Sequence, residues 1–315
     1  MQKMKAGIRF LKNESIDRRK WDLCIADGKP VLAYGFSTYL DGVCNGQWHG
    51  LVYNDYEAVF PLPYKKRFGL SYLCQPVFCQ QLGAFGCDEV VDTVAFIKAI
   101  PWYYPRVKIQ INRHFTWQHP PRQGHISPKL NLEIREKPNL TIQLDQPIRY
   151  KKDARRNLKR IAEYGIVVKE AAVKVELVID LFRQAWGGFH PHLRTGEYER
   201  FRQAIDSESM QAASFETLVY SAHETGTNEL LGAAIFLKTN GNSNSHGYLH
   251  YVCAAPTPKG RNLSVMHALI HQAITNHTGQ PFCFDFEGSS IPSVSSFYRK
   301  FGPTENSYLL YARGL

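Results

Sequence analysis

The order of helix-forming and strand-forming segments between residues 175 and 313 restricts the fold of this chain more than any other feature. Apolar residues recur every three or four positions over 263–277, which predicts an amphipathic helix with one buried stripe. Runs of β-branched and aromatic residues predict strands on either side of it. In chain order the prediction is helices over 175–186 and 197–206, strands over 214–223, 230–238 and 247–254, the helix over 263–277, a strand over 282–286, a helix over 292–301 and a strand over 307–313. The pattern predicts an α/β (α+β) fold in which helices flank a central, mostly antiparallel sheet.

The first half repeats this order in shortened form. The predicted elements are helices over 15–26 and 88–100, strands over 31–39, 47–53, 56–62, 71–74 and 107–111, a Pro/Gly/His-rich loop over 119–128, and short strands over 129–134 and 140–144. A length of 315 residues favours two compact lobes. We expect an N-terminal lobe over 1–148 and a C-terminal lobe over 149–315.

A strongly basic segment opens the second lobe. Its cations are Arg149, Lys151, Lys152, Arg155, Arg156, Lys159 and Arg160, and the helical pattern stops at Gly165. From residue 152 onward they recur at spacings of three and four, which predicts a positive stripe along one helix face. With a net charge of +10, the chain should attract anions. We assign Arg155, Arg156 and Lys159 to an acidic substrate or to donor phosphates; the alternative is a solvated helix face.

Several classes of protein are not favoured by the sequence. No stretch approaches the 18 apolar residues of a membrane helix, and we expect a cytoplasmic protein. The seven cysteines form no C-x-x-C pair and are predicted to be reduced, although a cysteine nucleophile remains open. His267 and His271 stand four apart, but no acidic ligands lie nearby, so we place both on a helix surface and predict no metal.

Three groups of segments resemble the FemABX-like branch of the GNAT superfamily, whose members carry two GNAT-like lobes and join an acyl group to an amine. They are residues 55–66 with 75–83, the basic run 155–160 with 165–168, and Phe284-Asp285-Phe286-Glu287-Gly288-Ser289 with Ser296-Phe297-Tyr298-Arg299-Lys300-Phe301-Gly302. Phe297 is followed by a tyrosine, whereas peptidoglycan-bridge members have a Phe-Lys pair. The resemblance implies two GNAT-like lobes and an N-acyltransferase activity.

The same resemblance implies roles at the end of the chain. Residues 297–302 are similar to the Phe-Tyr-x-Lys-x-Gly of GNAT enzymes, in which the tyrosine protonates the departing thiolate, so Tyr298 is the expected acid. Asp285 and Glu287 alternate along one strand and share a face, where they could flank an amine as base and anchor. The alternative for these two carboxylates is helix capping or pairing with cations.

A partial phosphate-binding loop precedes the long helix. GNAT enzymes carry Arg/Gln-x-x-Gly-x-Gly/Ala there, and this chain has Lys259, Gly260, Arg261, Asn262 and Ser264 in the matching segment. These residues are the expected cofactor-binding set. The donor stays open between acetyl-CoA or another acyl-CoA and aminoacyl-tRNA. We further assign Gln80, Gln81, Tyr251 and Ser289 to substrate binding.

The resulting hypothesis is an acyltransferase that moves an acyl or aminoacyl group onto a primary amine, with the substrate in a cleft between the lobes. Its expected partner is an anionic small molecule or a nucleotide-linked substrate, and tRNA is a candidate. Two alternatives remain: a non-catalytic protein that binds tRNA or another polyanion, and a scaffold whose site has decayed. The sequence does not determine the acceptor amine, the acyl chain or the oligomeric state.

Overall fold

The computed structural model describes residues 7–86, 92–113, 132–189, 193–206, 215–288 and 290–314. Contacts divide the chain into two compact units. Unit 1 comprises Met1–Pro138, Asn240–His246 and Ser307–Leu315, and unit 2 comprises Asn139–Thr239 and Gly247–Asn306. Each unit is thus assembled from separate parts of the chain. The predicted boundary between residues 148 and 149 stays a prediction.

Unit 1 is a mostly antiparallel sheet with helices packed on it. Its described elements are β1 (Ile8–Leu11), α1 (Arg18–Ala26), α2 (Ser37–Cys44), β2 (Trp48–Tyr53), β3 (Ala58–Arg67), β4 (Leu70–Cys74), β5 (Phe85–Gly86), α3 (Thr93–Ala99), β6 (Val107–Ile111) and the end of β13 (Thr304–Arg313). The strand order is β1-β2-β3-β4-β6-β13, and β5 pairs with β3. The pair β4 and β6 is parallel. The core lies between the sheet and helix α3, whose Phe96 is fully buried and stacks on Phe60.

Unit 2 is also a mostly antiparallel sheet with helices packed on it. Its described elements are the end of β7 (Leu132–Gln143), α4 (Lys152–Glu163), β8 (Ile166–Glu170), α5 (Val175–Trp186), α6 (Thr195–Ile205), β9 (Glu216–Glu224), β10 (Leu230–Thr239), β11 (Gly247–Pro256), α7 (Pro258–Asn262), α8 (Met266–His277), β12 (Phe282–Asp285) and α9 (Pro292–Tyr298). The strand order is β7-β12-β11-β10-β9-β8, and only β11 with β12 is parallel among these pairs. The predicted fold class is confirmed.

The long helix predicted over 263–277 begins three residues later in the structure, as α8 at Met266. The preceding helix α7 ends at Asn262, and Ser264 takes a left-handed φ of 61° between the two helices. The apolar stripe was predicted correctly, because Leu269, Ile270 and Ala273 are fully buried against the sheet. Apolar periodicity therefore located the helix but placed its start inside the turn that precedes it.

The predicted strand over 31–39 is wrong. The segment forms a short 3-10 turn over Ala33–Gly35 and then enters α2. Asp22 on α1 accepts hydrogen bonds from the backbone N–H and the hydroxyl of Ser37, at 2.7 and 2.6 Å, and so satisfies a free donor at the start of α2. Aromatic content predicted a strand, but a cap supplied from another helix, with complete burial of Tyr34 and Tyr39, selected the helix instead.

Candidate active site in unit 2

The candidate site lies where the parallel ladder of β11 and β12 ends. The last paired residues are His250 and Asp285, after which β12 stops and β11 continues to Pro256. Glu287 and Gly288 then take left-handed φ values of 63° and 61°, which turn the chain away from the strand. The carboxyl ends of neighbouring parallel strands are a common place for ligands, because side chains meet there without further strand pairing.

His250 is fully buried at this end of β11. Its Nδ1 lies 2.9 Å from Glu287 Oε1, and its ring stacks on Tyr248 with centroids 5.3 Å apart. Burial lowers the pKa of His250 to about 4, although the nearby Asp285 carboxyl acts in the opposite direction. The imidazole is therefore neutral near pH 7, and the hydrogen bond places its proton on Nδ1, which donates to Glu287.

Each carboxylate oxygen of Asp285 accepts a hydrogen bond. Its Oδ1 accepts from the backbone N–H of Glu287 at 2.8 Å, and its Oδ2 accepts from the side-chain amide of Asn139 on β7 at 2.9 Å. Burial is the main cause that raises the pKa of Asp285, and the Glu287 carboxylate adds to it, whereas His250, Asn139 and the backbone bond lower the pKa. The net result is a pKa of about 7. This carboxyl therefore changes its charge close to neutral pH.

Glu287 is the reachable carboxylate of the group. Its side chain is 16% exposed, while that of His250 is completely enclosed. A left-handed conformation is costly for a residue with a side chain, and here a backbone bond to Asp285 and a side-chain bond to His250 fix it. The two bonds fix the position of this partly exposed carboxylate.

Tyr298, at the end of α9, interacts electrostatically with the same carboxylate. Its ring lies 4.9 Å from that of Phe286 and 6.0 Å from that of Tyr251, on the apolar face of the sheet. Burial raises the pKa of Tyr298 above its usual value of 10, and the Glu287 carboxylate adds to the effect. The phenol therefore stays protonated at neutral pH. Tyr251, predicted to bind substrate, is 8% exposed and packs within the core of unit 2.

His250, Asp285 and Glu287 are also the residues that could hold a cation, since one ligand atom of each lies within 4.8 Å of the other two. Several of their polar atoms already bond to protein groups. Both Asp285 oxygens accept hydrogen bonds, and His250 binds Glu287 directly. These hydrogen bonds suit an acid/base group. The prediction that no metal is used stays a prediction.

The predicted phosphate-binding segment is occupied by contacts within unit 2. Lys259 pairs with Glu224 at 3.1 Å and with Glu229 at 2.7 Å, and the Arg261 guanidinium lies 4.7 Å above the Trp186 ring. A Cβ on Gly260 would lie 1.8 Å from the Leu231 carbonyl oxygen, so the glycine allows α7 to approach β10. Asn262 is exposed, and Ser264 follows in its left-handed conformation. A cofactor role for this segment stays a prediction.

The predicted basic stripe lies on α4, where Arg155, Arg156 and Lys159 are all exposed. Two of them have acidic neighbours on the same helix: Arg156 lies 3.4 Å from Asp153, and Lys159 lies 3.9 Å from Glu163. Exposed pairs of this kind hold side chains weakly. The stripe is therefore accessible to an anion.

The remaining predicted residues are dispersed. Gln80 and Gln81 are buried in unit 1, where the Gln81 amide donates to the Gln80 carbonyl at 3.0 Å. Ser289 lies outside the described residues, as do the loop over 119–128 and the first residues of the helix predicted over 88–100.

The assignment of His267 to a helix surface is wrong. It is 5% exposed, its Nε2 lies 3.1 Å from the Asn157 amide, and its ring packs edge-on to Phe297 at 4.8 Å. The position on α8 that looked like surface is covered by α4 and α9. His271 is only partly buried, and its Nδ1 lies 3.2 Å from the Tyr150 hydroxyl.

Sequence reasoning missed His250 and Asn139. A usable indication existed for the histidine: it interrupts the otherwise apolar run Tyr248-Leu249-His250-Tyr251-Val252, and a polar side chain in a buried strand is the informative exception. Asn139 carried no comparable indication, because its contact with Asp285 joins positions 146 residues apart.

Solved structures share this architecture. FemX superposes with a TM-score of 0.62 at 11% identity, over 94% of this chain and 96% of that chain. The chain has the fold of FemX. The C-terminal domain (DUF2156) of a putative lysylphosphatidylglycerol synthetase from Agrobacterium fabrum superposes with a TM-score of 0.54 at 13% identity, over 96% and 93% of the two chains.

The resemblance to the FemABX-like branch of the GNAT superfamily is thus confirmed at the level of the fold. No protein-family model matches the sequence. No curated protein matches it either. Among the described residues, no helix combines the length and the apolar character required to cross a bilayer.

Proposed function

We propose that this protein is an acyltransferase that moves an acyl or aminoacyl group onto a primary amine at the end of β11 and β12. The observation that carries the proposal is the convergence of His250, Asp285 and Glu287 at one point, with Tyr298 near enough for the Glu287 carboxylate to raise the pKa of its phenol. The FemX fold supports the reaction class.

Glu287 would accept the proton that the amine must lose before it attacks the acyl carbon. A neutral His250 that donates to one oxygen orients the carboxylate, and Asp285 fixes the backbone from which it projects. His250 and Asp285 are therefore positioning residues in this scheme, and Glu287 is the base.

Tyr298 would donate its proton to the departing group when the tetrahedral intermediate collapses. The raised pKa keeps the phenol protonated, and the Phe286 and Tyr251 rings fix its orientation. The donor itself stays open: acyl-CoA would release a thiolate and aminoacyl-tRNA a ribose alkoxide, and proton transfer would convert them to the free thiol and the ribose hydroxyl.

The donor is tested by thermal melting with acetyl-CoA and bulk tRNA in separate titrations. A ligand that binds the native state raises the melting temperature as its concentration increases. At a hundredfold excess over Kd, binding adds about 2.7 kcal/mol to the free energy of unfolding. We expect one of the two to do so. If neither shifts the midpoint, both donor assignments are wrong.

The two catalytic roles are tested by Glu287→Gln and Tyr298→Phe. Each variant keeps the shape of the side chain and removes the proton-transfer group, so we expect turnover with the donor that passes the first test to fall by about a hundredfold or more. Tyr220→Phe, another buried phenol in unit 2, is the matched control. Unchanged turnover in Tyr298→Phe would remove that residue from the acid role.

A second candidate function rests on the exposed α4 stripe: a non-catalytic protein that binds tRNA or another polyanion through Arg155, Arg156 and Lys159. It predicts tRNA binding that weakens steeply with added salt and survives Glu287→Gln and Tyr298→Phe unchanged, with no turnover in the wild type. Measured turnover that depends on Glu287 would exclude it.

A further inference from the structure

The β3–β4 hairpin of unit 1 carries an exposed apolar tip. Arg67 pairs with Leu70, so Phe68 and Gly69 form a two-residue turn. The Phe68 side chain is 88% exposed, and that of Leu70 is 61% exposed. The tip is therefore an apolar projection that the described part of unit 1 leaves in solvent.

Phenylalanine is a poor residue for this turn. Phe68 and Gly69 have φ values of 50° and 77°, a combination that suits Asn, Asp or Gly at the first position. A bulky side chain there adds backbone strain. At 88% exposure its burial contributes little to the fold in return. The local structure thus gives no stabilising reason for an aromatic ring at the tip.

A second exposed aromatic group precedes β6. Trp102 is 89% exposed and Tyr103 50% exposed, and Arg313 donates to the carbonyls of Pro101 and Tyr104, which fixes the loop. Since β6 runs parallel to β4, the loop before β6 lies at the same end of the sheet as the start of β4. The two aromatic groups therefore belong to one end of unit 1.

A row of rings runs from the second group to the base of the β3–β4 hairpin. Tyr103 lies 6.3 Å from Phe10, Phe10 lies 5.3 Å from His49, and His49 stacks on Tyr64 at 4.6 Å. Tyr64 is on β3, and Lys66 Nζ lies 6.0 Å from its ring. Contact is thus continuous from the Trp102 loop to the basic stem of the hairpin.

The charges within the two segments that carry the exposed rings have one sign. Lys65, Lys66, Arg67 and Arg106 are all exposed, and the Arg67 guanidinium lies 5.0 Å from the Phe68 ring. Neither segment 64–74 nor segment 101–108 contains an acidic residue. We call the surface formed by these four cations with Phe68, Leu70, Trp102 and Tyr103 the aromatic-basic tip.

We propose that the aromatic-basic tip is a peripheral docking site for an anionic phospholipid surface. Exposed Trp and Phe side chains partition into the interfacial region of a bilayer, and Lys and Arg beside them interact with acidic headgroups. Nucleic acid would use the ring faces and the cations, but it would gain nothing from an aliphatic side chain that projects as far as Leu70. The apolar projection therefore favours lipid.

The test is flotation of the full-length protein with phosphatidylcholine vesicles that do or do not contain phosphatidylserine. We expect binding to the acidic vesicles alone, reduced by added salt. Phe68→Asn combined with Trp102→Ser should lower partitioning by at least about tenfold, since two large apolar side chains are lost from the interface. Lys66→Gln combined with Arg67→Gln should remove the preference for acidic vesicles.

Two features separate docking from general damage. Phe68→Asn alone should leave the melting temperature unchanged or higher, because asparagine suits the turn better. Tyr164→Ser, which removes a 49% exposed ring beside Arg160 in unit 2, is the matched control and should bind vesicles as the wild type does.

Insertion has its own readout. Lipids brominated near the headgroup should quench tryptophan fluorescence more in the wild type than in Trp102→Phe, because Trp102 is 89% exposed whereas Trp21 and Trp48 are fully buried. The proposal is wrong if the wild type does not float with acidic vesicles, or if the tip variants float as well as Tyr164→Ser does. Binding of a polyuridine oligonucleotide that the same variants abolish, without vesicle binding, would assign the tip to nucleic acid instead.

Discussion

At the scale of single residues, the candidate site depends on two buried groups whose pKa values move in opposite directions. Burial disfavours the charged form of each, so the pKa of Asp285 rises to about 7 and that of His250 falls to about 4. Near pH 7 the histidine is therefore neutral while the carboxyl is close to its midpoint. The same burial thus keeps His250 as a neutral hydrogen-bond donor and lets the neighbouring Asp285 carboxyl titrate near neutral pH.

Asp285→Asn should change how stability depends on pH. The folded protein binds the Asp285 proton more tightly than the unfolded chain, whose carboxyl titrates near 3.8, so ionisation costs stability as pH rises from about 4 to 7. His250 acts in the opposite sense: its contribution is present above 6.5 and is lost as pH falls towards 4. In Asp285→Asn, only the pH dependence of stability that comes from His250 remains.

We therefore expect the free energy of unfolding of Asp285→Asn, relative to the wild type, to increase by a few kcal/mol between pH 4 and pH 7, at about 1.4 kcal/mol per pKa unit. Urea unfolding across this range measures it. Asp153→Asn, at an exposed position on α4, is the control. Curves for Asp285→Asn and the wild type that run parallel would show that Asp285 does not titrate in this range.

At the scale of elements, close approach of α7 to β10 explains Gly260 without any phosphate. The helix is capped by Thr257, whose hydroxyl accepts from the Gly260 N–H at 3.1 Å, and the same hydroxyl donates to the Leu231 carbonyl at 3.1 Å. Thr257 thus fastens the start of α7 to the strand. The glycine that resembles part of a phosphate loop serves packing within unit 2.

Gly260→Ala should destabilise the protein by about 2 kcal/mol or more, because the added methyl meets backbone that cannot move without shifting β10. Gly196→Ala is the matched control: it also lies in a helix, α6, and its nearest neighbour is the flexible end of Arg200 at 3.5 Å. That change should be neutral or stabilise by up to about 1 kcal/mol. Equal costs in denaturant unfolding would contradict the packing role.

At the scale of the whole molecule, the two units interleave along the chain. Residues 139–148, which precede the boundary predicted from the sequence, belong to unit 2. Asn240–His246 and the end of β13 belong to unit 1, although both follow that boundary. The returning hairpin is fixed within unit 1, where the Asn242 amide donates to the carbonyls of Ala26 and Gly28 at 2.9 and 2.8 Å. The order of elements did not reveal this exchange.

Fragments of the chain test the boundary. A fragment of residues 149–315 lacks the part of β7 that pairs with β12, and with it Leu140 and Ile142 of the core of unit 2, together with Leu144, which follows the strand. We expect it to unfold without a cooperative transition, and a fragment of residues 139–315 to recover one, as followed by circular dichroism. A cooperative transition in the shorter fragment would support the boundary at 148/149.

The sequence by itself determined the elements whose burial follows a local period. Apolar spacing located α8, cations spaced three and four apart located α4, and runs of β-branched and aromatic residues located β9, β10 and β11, because each pattern depends only on neighbours within a few positions. Tertiary structure decided the rest. Asp285 meets His250 and Asn139 only through strand pairing across long separations, and a cap from α1 turned a predicted strand into α2. Contacts between distant positions leave no period in the sequence, so the site had to be found in the fold.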